Sequence, residues 1–185
     1  MNIESTPLPG VLLIKPDVFG DARGFFLETW NRRRYREAGL DREFVQDNVS
    51  LSRKGILRGL HFQNPTPQGK LVQALQGEVF DVAVDIRAGS PTFGQWFGAL
   101  LSEENHHQLY VPEGFAHGFC VLSETALFSY KCTDFYNPSA EYSLRWDDPD
   151  LGITWPIDNP VLSAKDQSAR NLKDFPRELL PVWQA

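Results

Sequence analysis

The sequence has only two cysteines and one methionine, and it has no long apolar run. Cys120 and Cys132 are too few for a disulfide framework, and their spacing fits no zinc motif. The start, Met1-Asn2-Ile3-Glu4-Ser5-Thr6-Pro7, has no basic flank leading into an apolar stretch, so a signal peptide is not expected. The longest uncharged stretch, Ala88 to Ser102, is broken by Pro91, Gly94, Gln95 and Gly98. It is too short and too polar to span a bilayer. Positive charge is also scarce: 18 Lys and Arg against 24 Asp and Glu leave a formal charge of −6. That argues against sequence-independent nucleic-acid binding and against attachment to anionic lipid. It is compatible with a small phosphorylated ligand, because one pocket can be basic on an acidic protein. A cytoplasmic protein with neither nucleic-acid nor membrane partners is expected.

What is present suits a folded chain. Hydrophobic residues at 42% and charged residues at 23% of 185 are ordinary globular values. One domain over residues 1–185 is expected at this length. The 14 glycines and 13 prolines are dispersed, which fits short strands joined by turns. Alternation is clearest in Glu78–Arg87, where Phe80, Val82, Val84 and Ile86 share one face and Val79, Asp81, Ala83 and Asp85 the other. Further strands are expected at Phe25–Trp30, Lys70–Gln76, Gln95–Leu101, His117–Leu122 and Ala126–Thr133, with a turn at Ser123-Glu124. Two helices are expected: Asn31–Gly39, stopped by Gly39, and Ser163–Leu172, capped by Ser163. The pattern predicts an all-β sandwich or barrel with a few short helices.

Two clusters carry chemistry. One is Leu57-Arg58-Gly59-Leu60-His61-Phe62-Gln63, followed by Gly69-Lys70-Leu71-Val72; the other is Pro112-Glu113-Gly114-Phe115-Ala116-His117-Gly118-Phe119. The Pro-x-Gly-x-x-His spacing of the second resembles the second motif of the cupin superfamily, which implies a jelly-roll barrel or sandwich. Metal-binding cupins have a His-x-His pair on the first motif. Here that position reads His61-Phe62-Gln63, and glutamine is a poor transition-metal ligand. His106 and His107 are adjacent, so in a strand their rings would point to opposite faces. No metal and no cofactor are expected.

More motifs occur in a fixed order: Arg23-Gly24-Phe25-Phe26-Leu27-Glu28, Gln46-Asp47-Asn48-Val49-Ser50, the two clusters above, Tyr130-Lys131-Cys132-Thr133-Asp134-Phe135-Tyr136, Trp146-Asp147-Asp148-Pro149, Trp155-Pro156 and Ser163-Ala164-Lys165-Asp166. In this order they resemble the dTDP-4-dehydrorhamnose 3,5-epimerase family over nearly the whole chain. The resemblance implies cofactor-independent inversion of C3 and C5 in a dTDP-4-keto-6-deoxyhexose. Both carbons flank the C4 carbonyl, so each proton can leave to form an enolate. His61 is implied as the base, Asp166 as its carboxylate partner, Tyr130 as the acid and Lys70 as the group beside the C4 oxygen. Arg23, Glu28, Gln46, Asp47, Asn48, Arg58, Lys70, His117, Tyr136, Glu141 and Lys165 are implied to bind substrate. Phe19 and Phe26 are candidates to stack on thymine. A homodimer with exchanged N-terminal strands is implied as well. Arg58 and His61 are three apart, so a regular strand would send them to opposite faces; both reach one pocket only if the chain bulges near Gly59.

Simpler explanations compete at several positions. Tyr130 alternates with Phe128 and Cys132, as core residues do. Asp81 and Asp85 could mimic a catalytic carboxylate pair. Arg32-Arg33-Arg34 is read as a solvated helix face, Trp146 and Trp155 as structural, and His106 and His107 as surface residues near a turn. Three other activities remain open on sequence: a mono-epimerase acting at C3 or C5, a metal-dependent cupin oxygenase, and a cupin that only binds a nucleotide sugar.

Overall fold

The computed structural model describes residues 1–184. Its strands are β1 (Asn2–Ser5), β2 (Leu12–Lys15), β3 (Val18–Asp21), β4 (Gly24–Leu27), β5 (Gln46–Arg53), β6 (Leu57–Gln63), β7 (Lys70–Gln76), β8 (Glu78–Asp85), β9 (Trp96–Ser102), β10 (Gln108–Val111), β11 (Phe115–Val121), β12 (Thr125–Cys132) and β13 (Glu141–Ser143). Helices α1 (Arg32–Glu37) and α2 (Ala164–Gln167) and two short 3-10 turns near the C-terminus complete it. A six-stranded sheet, β1-β2-β10-β7-β12-β5, faces a five-stranded sheet, β13-β6-β11-β8-β9. This is the all-β jelly-roll sandwich expected; among the described residues the sheets do not close into a barrel. Among the described residues the hairpin β3–β4 pairs only with itself.

The alternation in β8 explains the layering. Val79 and Ala83 point between the sheets, where they meet Val72, Leu109, Phe119 and Phe128. Val82 and Val84 point outward and are covered by Leu144, Leu151, Trp155, Leu172 and Phe175 from the C-terminal segment. Trp155 donates its indole N–H to the Trp146 carbonyl at 2.9 Å, which makes this pair structural. Under α1, Tyr35 and Leu40 cover Ile14, Leu71 and Tyr110 on the outer face of the six-stranded sheet.

Helix α1 starts as expected, with the Asn31 side chain accepting from the Arg34 amide at 3.2 Å, and Gly39 follows its end at φ +106°. Its arginines form exposed ion pairs: Arg32 with Glu43, Arg33 with Glu37, and Arg34 with Glu28 and Asp17. Helix α2 is shorter than the expected Ser163–Leu172 and stops at Gln167. The residues beyond it are claimed by other partners. The Arg170 carbonyl accepts from the Arg145 amide at 2.8 Å, and the Leu172 amide donates to Asp148 at 2.7 Å. The expected strand Phe25–Trp30 ends at Leu27, and its remainder turns toward α1.

Candidate active site

The site is built on a bulge. In the pairing of β11 with β6, His117 faces His61 and Phe119 faces Arg58, so Gly59 and Leu60 together oppose Gly118. Gly59 has φ +130°, and a Cβ there would lie 2.5 Å from the Gly118 Cα. Both glycines are therefore needed for this approach. The bulge turns Arg58 and His61 to the same inner face, as the joint assignment required, while Leu57, Leu60 and Phe62 pack outward. The Arg58 Nε donates to Ser52 Oγ at 3.0 Å.

Two histidine–aspartate pairs flank the bulge. His61 Nε2 lies 2.6 Å from Asp166 Oδ1, and Asp166 is 3% exposed. Helix α2 sets that aspartate, because the Ser163 hydroxyl caps the Asp166 amide at 3.2 Å. Burial pushes the Asp166 carboxyl up, but its hydrogen bond with His61 and the charge of that ring outweigh it and hold the group below its ordinary range. The second pair is buried: His117 Nε2 lies 2.9 Å from both Asp81 oxygens, with its ring stacked beside Phe128. Asp81 and Asp85 are thus no carboxylate pair. Asp85 is bound instead by Arg87, Ser90 and Thr92.

The opposite wall comes from the six-stranded sheet. Tyr130 on β12 faces Asn48 of β5 and Val72 of β7, and Cys132 faces Gln46 and Lys70. Burial pushes the Tyr130 phenol up and Cys132 adds to this, against the opposing effect of Arg58, so the phenol stays protonated at neutral pH. Burial pushes the Lys70 amine below its ordinary value; Cys132, Glu141 and Asp81 oppose that shift by charge alone, without a hydrogen bond. The cavity reaches Lys70, so its surface is only half-buried although protein packs around it. At the rim, Glu141 accepts from the Tyr136 phenol at 2.9 Å and pairs with Lys165 at 2.6 Å.

Between these walls lies one cavity of about 370 Å³. It brings together Gln46, Asn48, Arg58, His61, Lys70, His117, Tyr130, Tyr136 and Glu141. Asp166 joins through His61, and Lys165 through Glu141. Three expected residues stay outside. Asp47 points away and pairs with Lys131. Glu28 binds Asn31 and Arg34. Arg23 sits on the β3–β4 hairpin, its side chain 89% exposed and paired with Asp21. Phe19 and Phe26 lie on that hairpin too, at 60% and 69% exposure. His106 and His107 occupy the turn before β10.

Sequence reasoning missed several lining residues, Ser50 among them, and the two partners Ser52 and Asp81. Ser50 lines the cavity and Ser52 holds Arg58; both continue the alternation begun by Gln46 and Asn48, which was the available signal. Asp81 shares an inward face with Val79 and Ala83 but could be assigned to His117 only from the pairing of β11 with β8. Gln63, where metal-binding cupins place a ligand, has both ends of its amide on main-chain groups. Among the described residues no three His, Cys, Asp or Glu side chains cluster as metal ligands.

Comparison with known proteins agrees with this geometry. Residues 5–174 match the family model described as dTDP-4-dehydrorhamnose 3,5-epimerase. A Pseudomonas aeruginosa dTDP-4-dehydrorhamnose 3,5-epimerase is 57% identical over 94% of this chain and 97% of its own length. A Neisseria gonorrhoeae protein of the same name is 57% identical over 92% of this chain, which spans only 52% of that protein. The crystal structure of a Legionella pneumophila dTDP-6-deoxy-D-glucose-3,5-epimerase in complex with dTDP-4-keto-L-rhamnose superposes with a TM-score of 0.97. It is 54% identical and covers 100% of this chain and 99% of its own.

Proposed function

The chain belongs to the dTDP-4-dehydrorhamnose 3,5-epimerase family, and on that premise we propose that it inverts C3 and C5 of dTDP-4-dehydro-6-deoxy-D-glucose. The product is dTDP-4-dehydro-L-rhamnose, on the route to dTDP-L-rhamnose. The observation that carries this reading is one cavity entered from opposite sheets by a carboxylate-paired histidine and a tyrosine.

The C4 carbonyl acidifies the protons on C3 and C5. His61 removes one, and the electron pair delocalises onto the C4 oxygen as an enolate. Asp166 stabilises the imidazolium that forms and fixes the ring. A positioned base of this kind contributes on the order of 10²–10⁴-fold. Lys70 donates to the enolate oxygen, a contact whose loss typically costs about 3–4 kcal/mol of barrier. Tyr130 returns a proton from the other wall, so the carbon inverts. A phenol is a weak acid, but an enolate carbon is basic enough to take its proton. Arg58 meets the diphosphate, which its planar fork suits.

The protein acts as a homodimer in this reading, with the β3–β4 hairpin exchanged. Support comes from a hairpin that pairs only with itself, exposes Phe19, Phe25 and Phe26, and carries Arg23 away from its own cavity. A cytoplasmic location belongs to the same proposal; among the described residues no helix is long and apolar enough to cross a membrane.

Incubation with the dTDP-4-keto sugar in D₂O, without added metal, tests the reaction. Deuterium at both C3 and C5 by NMR is the expected outcome. Deuterium at one carbon would make the protein a mono-epimerase, and none at either would refute catalysis.

A further inference from the structure

Tyr136 presents a half-exposed ring at the cavity rim, yet its backbone is tied down without regular secondary structure. Four successive residues each give one main-chain group to a glutamine side chain. The Asp134 carbonyl accepts from Gln68 Nε2 at 2.8 Å, and the Phe135 carbonyl accepts from Gln63 Nε2 at 3.3 Å. The Tyr136 amide donates to Gln46 Oε1 at 2.8 Å, and the Asn137 amide donates to Gln63 Oε1 at 3.0 Å. Gln63 spends its remaining donor on the Thr66 carbonyl at 2.9 Å. It is only 4% exposed, so its polar atoms are committed to the loops and not to solvent.

Gln63 also sits two residues beyond His61 on β6, while the Tyr136 loop continues from β12, the strand of Tyr130. The amide therefore ties the strand that carries the base to the loop that leaves the strand of the acid. We propose that Gln63, assisted by Gln68, is a positioning residue that presets Tyr136 as a rigid aromatic wall for the planar base of the nucleotide substrate. This rests on the nucleotide-sugar reading above. An aromatic ring on an unrestrained loop must be ordered each time a base stacks on it, and that ordering weakens binding. A ring whose backbone is already fixed avoids that loss. The inference also gives Gln63 a role where the metal-binding cupins have a ligand.

The test uses Gln63→Met and Gln68→Met, which keep length and remove hydrogen bonding, each also combined with Tyr136→Ala. Affinity for dTDP is measured by calorimetry and turnover by steady-state kinetics. Each single variant is expected to raise the dTDP Kd and the substrate KM by about tenfold, with kcat carrying the smaller share. In the Tyr136→Ala background the same change should add less than about twofold, because the ring it positions is gone. Unchanged Kd in the folded variants would overturn the inference, as would a full effect in the Tyr136→Ala background or a loss confined to kcat. Should Gln63→Met fail to fold, Gln68→Met removes one bond only and carries the same comparison. Wild-type protein that fails to bind dTDP would sink the functional reading as well, whereas wild-type binding with unchanged variants sinks this inference alone.

Discussion

Asp166→Asn isolates what the carboxylate gives His61. The side chain keeps its size, the Ser163 cap acts on its main-chain amide, and the 2.6 Å contact to Nε2 changes from charged to neutral. The aspartate is held below the ordinary carboxyl range, so it is ionised throughout the neutral pH range in which the assay runs. A buried hydrogen bond to a charged group contributes about 1.5–3 kcal/mol. Since the imidazolium forms only as the proton leaves carbon, that energy acts on the barrier. At about 1.4 kcal/mol per decade, kcat should fall roughly 10- to 150-fold. The assay is deuterium wash-in from D₂O, with C3 and C5 followed separately by NMR. One base serving both carbons predicts equal slowing at each. A loss under about threefold, or slowing at one carbon only, would refute His61–Asp166 as the shared proton acceptor.

Two further substitutions probe the walls of the cavity. Lys70→Met should abolish turnover yet stabilise the fold. Burial holds the Lys70 amine below its ordinary 10.5, so as pH falls through the window between 10.5 and the folded value, the unfolded chain binds a proton that the folded chain does not. Wild type loses stability relative to the variant across that window. At pH 7 the variant should melt higher by about 2–4 °C per kcal/mol regained, and the gap should close above pH 10.5; a lower melting point at pH 7 would contradict the assignment. Gly59→Ala puts a Cβ 2.5 Å from the Gly118 Cα and 2.9 Å from the His117 carbonyl oxygen at a positive φ. It should cost at least about 3 kcal/mol and lose activity with the bulge, as read by urea denaturation and turnover. A fully active, equally stable variant would show that the bulge is not needed.

Six of the thirteen strands were legible because one face of each is apolar; β5 was not, since its inward residues Gln46, Asn48, Ser50 and Ser52 are polar. Lys70–Gln76 has the expected bounds, and the other middle strands shift by one or two residues. Helix α2 was overextended because Ala169, Arg170 and Leu172 look helical locally, and only the sheet contacts of Arg170 and the Asp148 carboxylate explain their departure. The site was legible in its chemistry but less so in its geometry. Gly59 signalled the bulge, and Ser163 signalled the cap that sets Asp166. The alternation that carried Gln46 and Asn48 inward also sends Asp47 outward to Lys131, so period two already spoke against grouping the three as cavity residues. No local pattern could reveal that Arg23 and Glu28 lie outside their own chain's cavity, since that depends on where the hairpin packs.

The placement of charge makes the hairpin matter. On a chain of net charge −6, the cavity has Arg58 and Lys70 as its lining cations, with the Lys70 amine pushed toward neutrality. Lys165 is held by Glu141, and Asp81 and Asp166 add negative charge behind the two histidines. A diphosphate therefore meets little uncommitted positive charge in one chain alone. Arg23, fully outside its own cavity, is the cation a second copy can supply. Complementation decides this. Arg23→Ala retains a complete His61 cavity, and His61→Ala retains an intact hairpin. If the hairpins exchange, mixing the two inactive variants under subunit exchange forms heterodimers in which one site has both parts. Half the dimers are then mixed, each with one working site, so activity should return to about a quarter of wild type. If Arg23 folds back to serve its own cavity, every site in the mixture lacks one part and activity stays at background.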